Sequence, residues 1–579
     1  MAATANTWDR EADLVVLGAG AGGMSCALVA ALEGLDVLVL EKSGQVGGTA
    51  ATSAGTVWIP GNTQSRAAGY DDTAAAAARY LDGLIGAPDG DGLRSAYLAT
   101  GPVAVDYLRA RSAVQFVPCG RHPDYRDMPG AAVTGRALAP QAFDGRLLGR
   151  DFARVRPPIP EFMVLGGMMA GKDDIPRLVG RFRSVGNFVY AGRLFLRYLG
   201  DRLRHARGTR LVMGNALVAR LFHSLRHNGV PILFEAAVQD LVHAGGRVAG
   251  VRVEQGGRLL RIGARKGVVI ATGGYGHHTA LRQRCMPLPT PPFTMACASN
   301  TGGGIELGLR HGGTIAPQTQ GPGAFWTPVS RTRRADGSEG LFPHLSLDRA
   351  KPGLIAVNVA GRRFVNEADS YHDFVQAMYA SHHAGVPAMP AWLVCEADFV
   401  RRYGLGNVHP GTTRLAPLER AGYLRTAPTI EALAAKLGID GTALAATVER
   451  YNTLARSGHD ADFGKGSSAL NRFNGDPAQR PNPCLRPIER GPFVAVAVWP
   501  AEIGTSTGLR TDADGRVLDA EGRAIAGLYA CGNDMASIML GTYPGPGTTL
   551  GPALTFGYRV AMHAAGRDPL YPSRQEARP

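Results

Sequence analysis

Asp13-Leu14-Val15-Val16-Leu17-Gly18-Ala19-Gly20-Ala21-Gly22-Gly23 is the stretch on which the reading of this chain turns. Its apolar run does not alternate with polar residues, as a strand buried on both faces requires. The run feeds a G-x-G-x-x-G pattern at Gly18, Gly20 and Gly23, then small and apolar residues at helical spacing over 24–33. Gly34 follows, and a second apolar strand, Val37 to Leu40, ends in Glu41. Gly18 permits a tight turn, Gly20 lets backbone approach a pyrophosphate, and Gly23 lets the helix lie on the strand. Ala21 and Gly22 sit at the helix start, where free N–H groups and the helix dipole suit phosphates. Glu41 stands where an acid accepts ribose hydroxyls. Strand, turn, helix and acid in register specify a dinucleotide site.

The next residues choose the dinucleotide. Lys42 and Ser43 lead into a second glycine- and hydroxyl-rich loop, Gly47, Gly48, Thr49, Ala50, Thr52, Ser53, Ala54 and Gly55. A nicotinamide fold usually runs straight into another helix, whereas a flavin needs further backbone along its ribityl chain. A third fragment, Val268 to Ile270 followed by Ala271, Thr272 and Gly273, is a buried strand ending in glycine. It follows a predicted β-meander that begins near Val238. A fourth is Gly532, Asn533 and Asp534. Together they assign FAD, held without a covalent bond.

Composition sets the outer limits. The chain has 579 residues, 45% of them hydrophobic and 19% charged, which excludes a disordered chain and leaves ample core without disulfide or metal staples. The 77 glycines show no collagen period and gather in loops. Seven scattered cysteines contain no C-x-x-C, which argues against a zinc site and for a reducing compartment. No secretory leader or spanning helix is predicted, so the expected location is cytoplasmic. The net charge of +14 is concentrated: 172–226 holds twelve of the basic residues, from Lys172 to Arg226, against three acids. Phe182, Phe188, Phe195, Leu196 and Leu199 are interleaved at helical spacing. Two readings follow, a helix lying on a membrane surface and a solvated helix whose apolar side packs on the core. The second is the simpler. No motif supports nucleic acid as a partner.

The four fragments resemble the FAD-binding flavoproteins that include fumarate reductases and 3-ketosteroid dehydrogenases. The resemblance spans most of the chain and is weak over about 155–230. It implies an α/β fold with an α+β cap: a Rossmann-like FAD domain in two parts, 1–288 and 497–579, with a substrate-capping domain, 289–496, inserted between them.

Three stretches address the chemistry. Gly541-Thr542-Tyr543-Pro544-Gly545-Pro546-Gly547 leads through Thr549 and Leu550 into a helix containing Ala553 and Leu554. N–H groups at 551–554 are expected to face the flavin. The loop is similar to the Tyr-Pro-Gly-x-Gly loop of 3-ketosteroid Δ1-dehydrogenases, which implies that Tyr543 and the Gly547 N–H bind a 3-keto oxygen. In Asp369-Ser370-Tyr371-His372-Asp373-Phe374, Tyr371 matches the family's general base, and His372 reads as structural rather than as a proton relay. Tyr125, in His122-Pro123-Asp124-Tyr125, matches the tyrosine that supports that base, although its flanking residues depart from the pattern and a surface turn competes. A tyrosine base is expected to need a lowered pKa, since its ordinary value is about 10.

The resemblance thus implies Δ1-dehydrogenation of a 3-ketosteroid, with an electron acceptor that the sequence does not name. Δ4-(5α)-dehydrogenation is the nearest alternative. Fumarate-type reduction is disfavoured by Tyr543 and Lys465, which stand where reductases of the family carry arginine. An electron-carrier module with an inactive pocket is the remaining reading.

Overall fold

The computed structural model describes residues 8–171, 173–316, 323–334, 336–345 and 348–571; Lys172, the first of the twelve basic residues, lies outside them. Two sheets organise the chain. The first has eight strands, with Arg10–Leu17 between Val37–Glu41 and Arg258–Ile270, all parallel where they pair. Val16 is level with Val39 on one side and with Val269 on the other, and Val269 is level with Tyr529 of Ala524–Ala530. This register brings Leu17, Leu40, Ile270 and Ala530 to one carboxyl edge, where open α/β sheets bind ligands.

Arg258–Ile270 serves two purposes. Its first half closes the antiparallel meander with Ala236–Ala244 and Arg247–Gln255, and its second half joins the parallel sheet. The helix Ala21–Leu32 is buried over Ala21 to Ala30. It packs closely on the C-terminal helix Leu550–Ala564: a Cβ on Gly557 would stand 2.4 Å from Ser25 Oγ. Removing side chains at that crossing draws the C-terminal segment over the nucleotide fold.

The second sheet has seven strands and is centred on Phe493–Thr505, flanked by Ala324–Arg333 and Ala391–Glu396. Its central strand crosses the 496/497 position at which the inserted domain was expected to end. Val494, Val496 and Val498 are fully buried, and so are Ala495 and Ala501. Around that position the strand is apolar on both faces, so no polar boundary falls there.

The basic segment reverses the simpler expectation. In the helix Val185–Arg202 only Tyr198 and Asp201 are buried. The polar side faces the protein: Tyr190 bonds Asp174, Tyr198 Oη donates to Leu165 O at 2.9 Å, and Arg197 pairs with Asp144 at 3.1 Å. The apolar side faces outward. Phe182 is 79% exposed, Val185 80% and Leu203 86%, with Phe188, Phe195, Leu196 and Leu199 exposed along the same stripe. Two inward tyrosine hydrogen bonds and one ion pair leave the apolar stripe with no core to cover.

Candidate active site and flavin cradle

The glycine loops form a cradle at the carboxyl edge. Gly18 has φ +105°, and a Cβ there would meet Ala271 O at 2.3 Å; on Gly23 it would meet Gly18 O at 2.1 Å. At Gly20, Gly48 and Gly532, by contrast, an added Cβ meets nothing within 4 Å. The first pair is closed by protein and the second set opens onto space, the arrangement a bound pyrophosphate and ribityl chain need. Glu41 accepts from Ala19 N at 2.9 Å with one oxygen and from Ser43 N and Oγ at 2.8 Å with the other. A carboxylate has about four lone-pair sites, so one remains for a ribose hydroxyl.

The other predicted cofactor residues divide into backbone that lines the cradle and side chains that brace it. Lys42 Nζ donates to Thr301 Oγ1 at 2.8 Å. Gly47 caps the short helix Gly48–Thr52, which carries Thr49 and Ala50. Thr52 bonds Thr49 O, Ser53 bonds Ala50 O, and Gly55 N donates to Ser53 Oγ, with Ala54 between them exposed. Val238 lies on the meander strand, half-buried. Asp534, fully buried, accepts from Thr272 Oγ1, Gly273 N and Gly274 N, which ties the fourth fragment to the third. Asn533, Thr549 and Ala553 line a cavity with Gly532 and Phe325. Leu550 begins the C-terminal helix, and Leu554 is buried in it.

One expectation fails. The N–H groups of Gly551 and Ala553 are bonded to Gly547 O at 3.0 Å and Thr549 O at 3.1 Å, and Pro552 has none. Helix propagation uses the groups assigned to the flavin. The donors left over are earlier: among the described residues the N–H groups of Gly547, Thr548, Thr549 and Leu550 take no hydrogen bond, and Gly547 is the one of them on the Tyr-Pro-Gly-Pro-Gly loop. Gly547 has φ +97°, and a Cβ there would lie 2.6 Å from Thr56 O, so only glycine fits.

The three tyrosines, far apart in sequence, converge. Tyr371 Oη is 3.1 Å from Tyr125 Oη and 3.0 Å from Tyr543 Oη. The rings of Tyr125 and Tyr543 stack at 5.5 Å and 8°, and Tyr371 stands edge-on to both. Phe325 closes against Tyr543 at 5.2 Å and 90°. Tyr371 begins the helix Tyr371–His383, whose N-cap Ser370 Oγ accepts from Asp373 N at 3.1 Å and donates to Asp373 Oδ2 at 2.8 Å. Arg126 bonds Asp373 at 2.7 Å and so ties the Tyr125 loop to that helix.

Tyr125 is not on a surface turn; it is 7% exposed. Its N–H donates to Pro544 O at 2.9 Å, and Tyr80 Oη donates to the same carbonyl at 2.8 Å. Beneath it Asp124 accepts from Trp58 Nε1 at 2.8 Å and Arg136 Nη1 at 2.5 Å. Burial raises the Asp124 pKa to about 6 despite that arginine. Neither Trp58, Arg136 nor Tyr80 belongs to a local motif, and sequence reasoning passed over them. The same is true of Asn300, which joins Thr49 to Gly273 O.

The tyrosine pKa values move opposite to expectation. Burial pushes Tyr125, Tyr371 and Tyr543 well above 10, and the neighbouring phenols push Tyr371 and Tyr543 further. Arg349 pulls Tyr125 and Tyr371 back only in part. Two neighbouring phenolates would repel each other, although the hydrogen bond with Tyr543 pulls Tyr371 the other way. His372 Nδ1 accepts from Trp326 N at 3.3 Å, and its Nε2 lies 3.0 Å from Gln376 Nε2. Burial lowers its pKa to about 4, so it stays neutral.

The family model described as FAD binding domain matches residues 13–550. The chain belongs to that family. It is similar to the 4-oxocyclohex-2-ene-1-carboxylate 5-dehydrogenase of Sinomonas cyclohexanicum, with 38% identity over 96% of this chain and 93% of the relative. It is similar also to the 3-oxosteroid 1-dehydrogenase of Mycobacterium tuberculosis H37Rv, with 36% identity over 96% and 98%. Among solved structures it resembles 3-ketosteroid Δ1-dehydrogenase from Sterolibacterium denitrificans in complex with 1,4-androstadiene-3,17-dione. There the TM-score is 0.88 and the identity 36%, covering 96% of this chain and 100% of that one. The cofactor of the cradle is FAD, as the family and the open glycine positions agree.

Proposed function

We propose that this flavoprotein is a 3-ketosteroid Δ1-dehydrogenase. The observation that carries the reading is the pairing of the Tyr543 hydroxyl with the unengaged Gly547 N–H on one loop. Two such donors hold a ketone oxygen and stabilise the negative charge that develops on it as the adjacent C2 proton leaves. Tyr371 Oη, 3.0 Å from Tyr543 Oη, is positioned to take that proton. FAD supplies the two-electron acceptor for the hydride leaving C1. Tyr125 and Phe325 fix the ring faces and exclude water.

Both kinds of relative take a six-membered cyclic ketone by name, and one kind carries a carboxylate. A carboxylate in this cleft would call for a cation. Among the described residues near the tyrosines, Arg349 spends its guanidinium on the carbonyls of His344, Leu345, Glu367 and Asp369. Arg126 is paired with Asp373, and His372 is neutral. An uncharged, lipophilic ketone fits better. Lys465, at the position of a reductase arginine, is buried, bonded to Leu354 O at 2.6 Å and 3.3 Å from Glu367, which speaks against fumarate-type chemistry.

The test is anaerobic mixing of the flavin-loaded protein with a 4-ene-3-keto steroid. Stoichiometric bleaching of the oxidised flavin, and a product two mass units lighter on turnover with an artificial acceptor, are expected. Bleaching by 4-oxocyclohexanecarboxylate and not by the steroid would overturn the choice of substrate.

The exposed stripe of the Val185–Arg202 helix supports a second element of the proposal, peripheral contact with an anionic membrane. Arg177, Arg181, Arg183, Arg193, Arg202 and Arg204 are exposed beside it, the composition of helices that lie in the headgroup plane. No described helix is long and apolar enough to cross a bilayer. The protein is expected to float with phosphatidylglycerol liposomes at low salt. Changing Phe182, Val185, Leu196 and Leu203 to Ser should lower partitioning at least about tenfold, since each buried apolar side chain contributes roughly 1.5–3 kcal/mol. Absence of co-flotation of the parent protein at low salt retires the idea.

A further inference from the structure

The proposed base has a difficulty that its surroundings address. A phenol held well above its usual pKa by burial is almost never ionised at neutral pH, so Tyr371 must lose its own proton as it gains one. A cavity of about 30 Å³ opens directly behind it, lined by Tyr125, Tyr371, Arg349, Asp369 and Asn474 among others. That is room for a bridging water.

On the strength of the dehydrogenase reading, we propose that Asp369, facing this cavity, is the outer acceptor of the proton taken from the substrate. Tyr125 Oη donates to Tyr371 Oη at 3.1 Å in the resting site. As Tyr371 Oη takes the C2 proton, this hydrogen bond reverses and the phenolic proton of Tyr371 passes to Tyr125 Oη. The Tyr125 proton passes to water in the cavity, and a water proton to the Asp369 carboxylate. Bound FAD would accept the electron pair of the C1–H bond as hydride. One proton leaves the substrate, one arrives at Asp369, and neither phenol carries a lasting charge.

Two carboxylates line the cavity, and only one suits the task. Glu367 is clamped by Arg363 at 2.8 Å and Lys465 at 3.3 Å and bonded by Ala356 N, which holds it below its ordinary pKa and makes it a reluctant acceptor. Asp369 is half-buried, and its carboxylate accepts from Asn471 Nδ2 at 3.0 Å. Burial, with the nearby Asp373, raises its pKa to about 6, while Arg126 and Arg349 pull the other way. His122 lines the same cavity. A carboxylate in that range takes a proton at neutral pH and releases it to solvent within a turnover.

The test compares the flavin-loaded parent with Asp369→Asn and Asp369→Glu, following bleaching by a 4-ene-3-keto steroid from pH 5 to 9. An acceptor must be ionised, so the parent rate should fall as pH drops through about 6. Asp369→Asn should bleach about tenfold more slowly at pH 7.5 and lose that acidic limb. Asp369→Glu should restore most of the rate and the limb. Retained flavin spectrum and steroid affinity in Asp369→Asn would show that it is folded. Parent-like rate and acidic limb in Asp369→Asn overturn the inference and leave the dehydrogenase reading standing. A parent protein that no steroid bleaches overturns that reading and this inference with it.

Discussion

Tyr371→Phe should slow steroid-dependent bleaching of the flavin by about three orders of magnitude, within the range of roughly 10²–10⁴ that a positioned general base contributes. The change removes the one oxygen that lies within 3.1 Å of both other phenols. It keeps the ring that stands edge-on to them. Steroid affinity, read from perturbation of the flavin spectrum, should change little, because the Tyr543 hydroxyl and the Gly547 N–H still hold the ketone. Reduction by dithionite should be unaffected. A variant that keeps more than about a tenth of the parent rate would remove Tyr371 from the role of base and direct attention to Tyr125. Stopped-flow absorbance separates these outcomes, since binding, bleaching and chemical reduction are read independently.

Tyr543→Phe is the second large effect, about 10²–10³ in the bleaching rate, the loss typical of removing one donor from an oxyanion site. The stack on Tyr125 at 5.5 Å and the edge contact of Phe325 at 5.2 Å need only the ring, so the cleft should keep its shape. The Gly547 N–H remains, so binding weakens less than the rate. The mechanism makes a further demand: the hydrogen bond to the ketone matters most when charge develops on its oxygen. Exchange of the substrate's C2 hydrogen in D₂O, measured by mass spectrometry with the flavin kept reduced, should therefore fall along with the bleaching rate. Exchange at the parent rate alongside slow bleaching would place Tyr543 in hydride transfer instead.

The pKa directions bear on both variants. Had the phenols been lowered, a standing tyrosinate would have sufficed as base, and activity would simply rise with pH through its titration. Burial raises all three, so the proton must be handed on as it arrives, and the acidic limb belongs to the acceptor. The direction follows from the sum of desolvation over three elements that meet only in the fold.

Much of the cradle was legible from residues 13–55, because the constraints there are local. A glycine that must take positive φ, or must let a helix lie on a strand, is visible within thirty residues of the strand it serves. Val16 paired with Val39 and Val269 realises the continuous apolar runs of those segments as neighbouring parallel strands. The assignment of flavin donors at 551–554 went astray for a short-range reason: Gly551 and Ala553 spend their N–H groups on the turn before them, and the free donors fall at 547–550. Trp58, Arg136, Tyr80 and Asn300 carried no signal, since each acts by meeting a residue from a distant segment.

The sequence by itself determined the nucleotide fold, the choice of FAD and the loop bearing Tyr543 and Gly547, since backbone φ, apolar periodicity and helix starts are properties of short segments. Only the tertiary structure decided that Tyr125 and Tyr543, 246 and 172 residues from Tyr371, share hydrogen bonds with it. It alone decided that burial raises their pKa values, and that the basic helix turns Tyr190, Arg197 and Tyr198 inward and its phenylalanines out. Burial and pairing are sums over neighbours, and the neighbours are chosen by the fold.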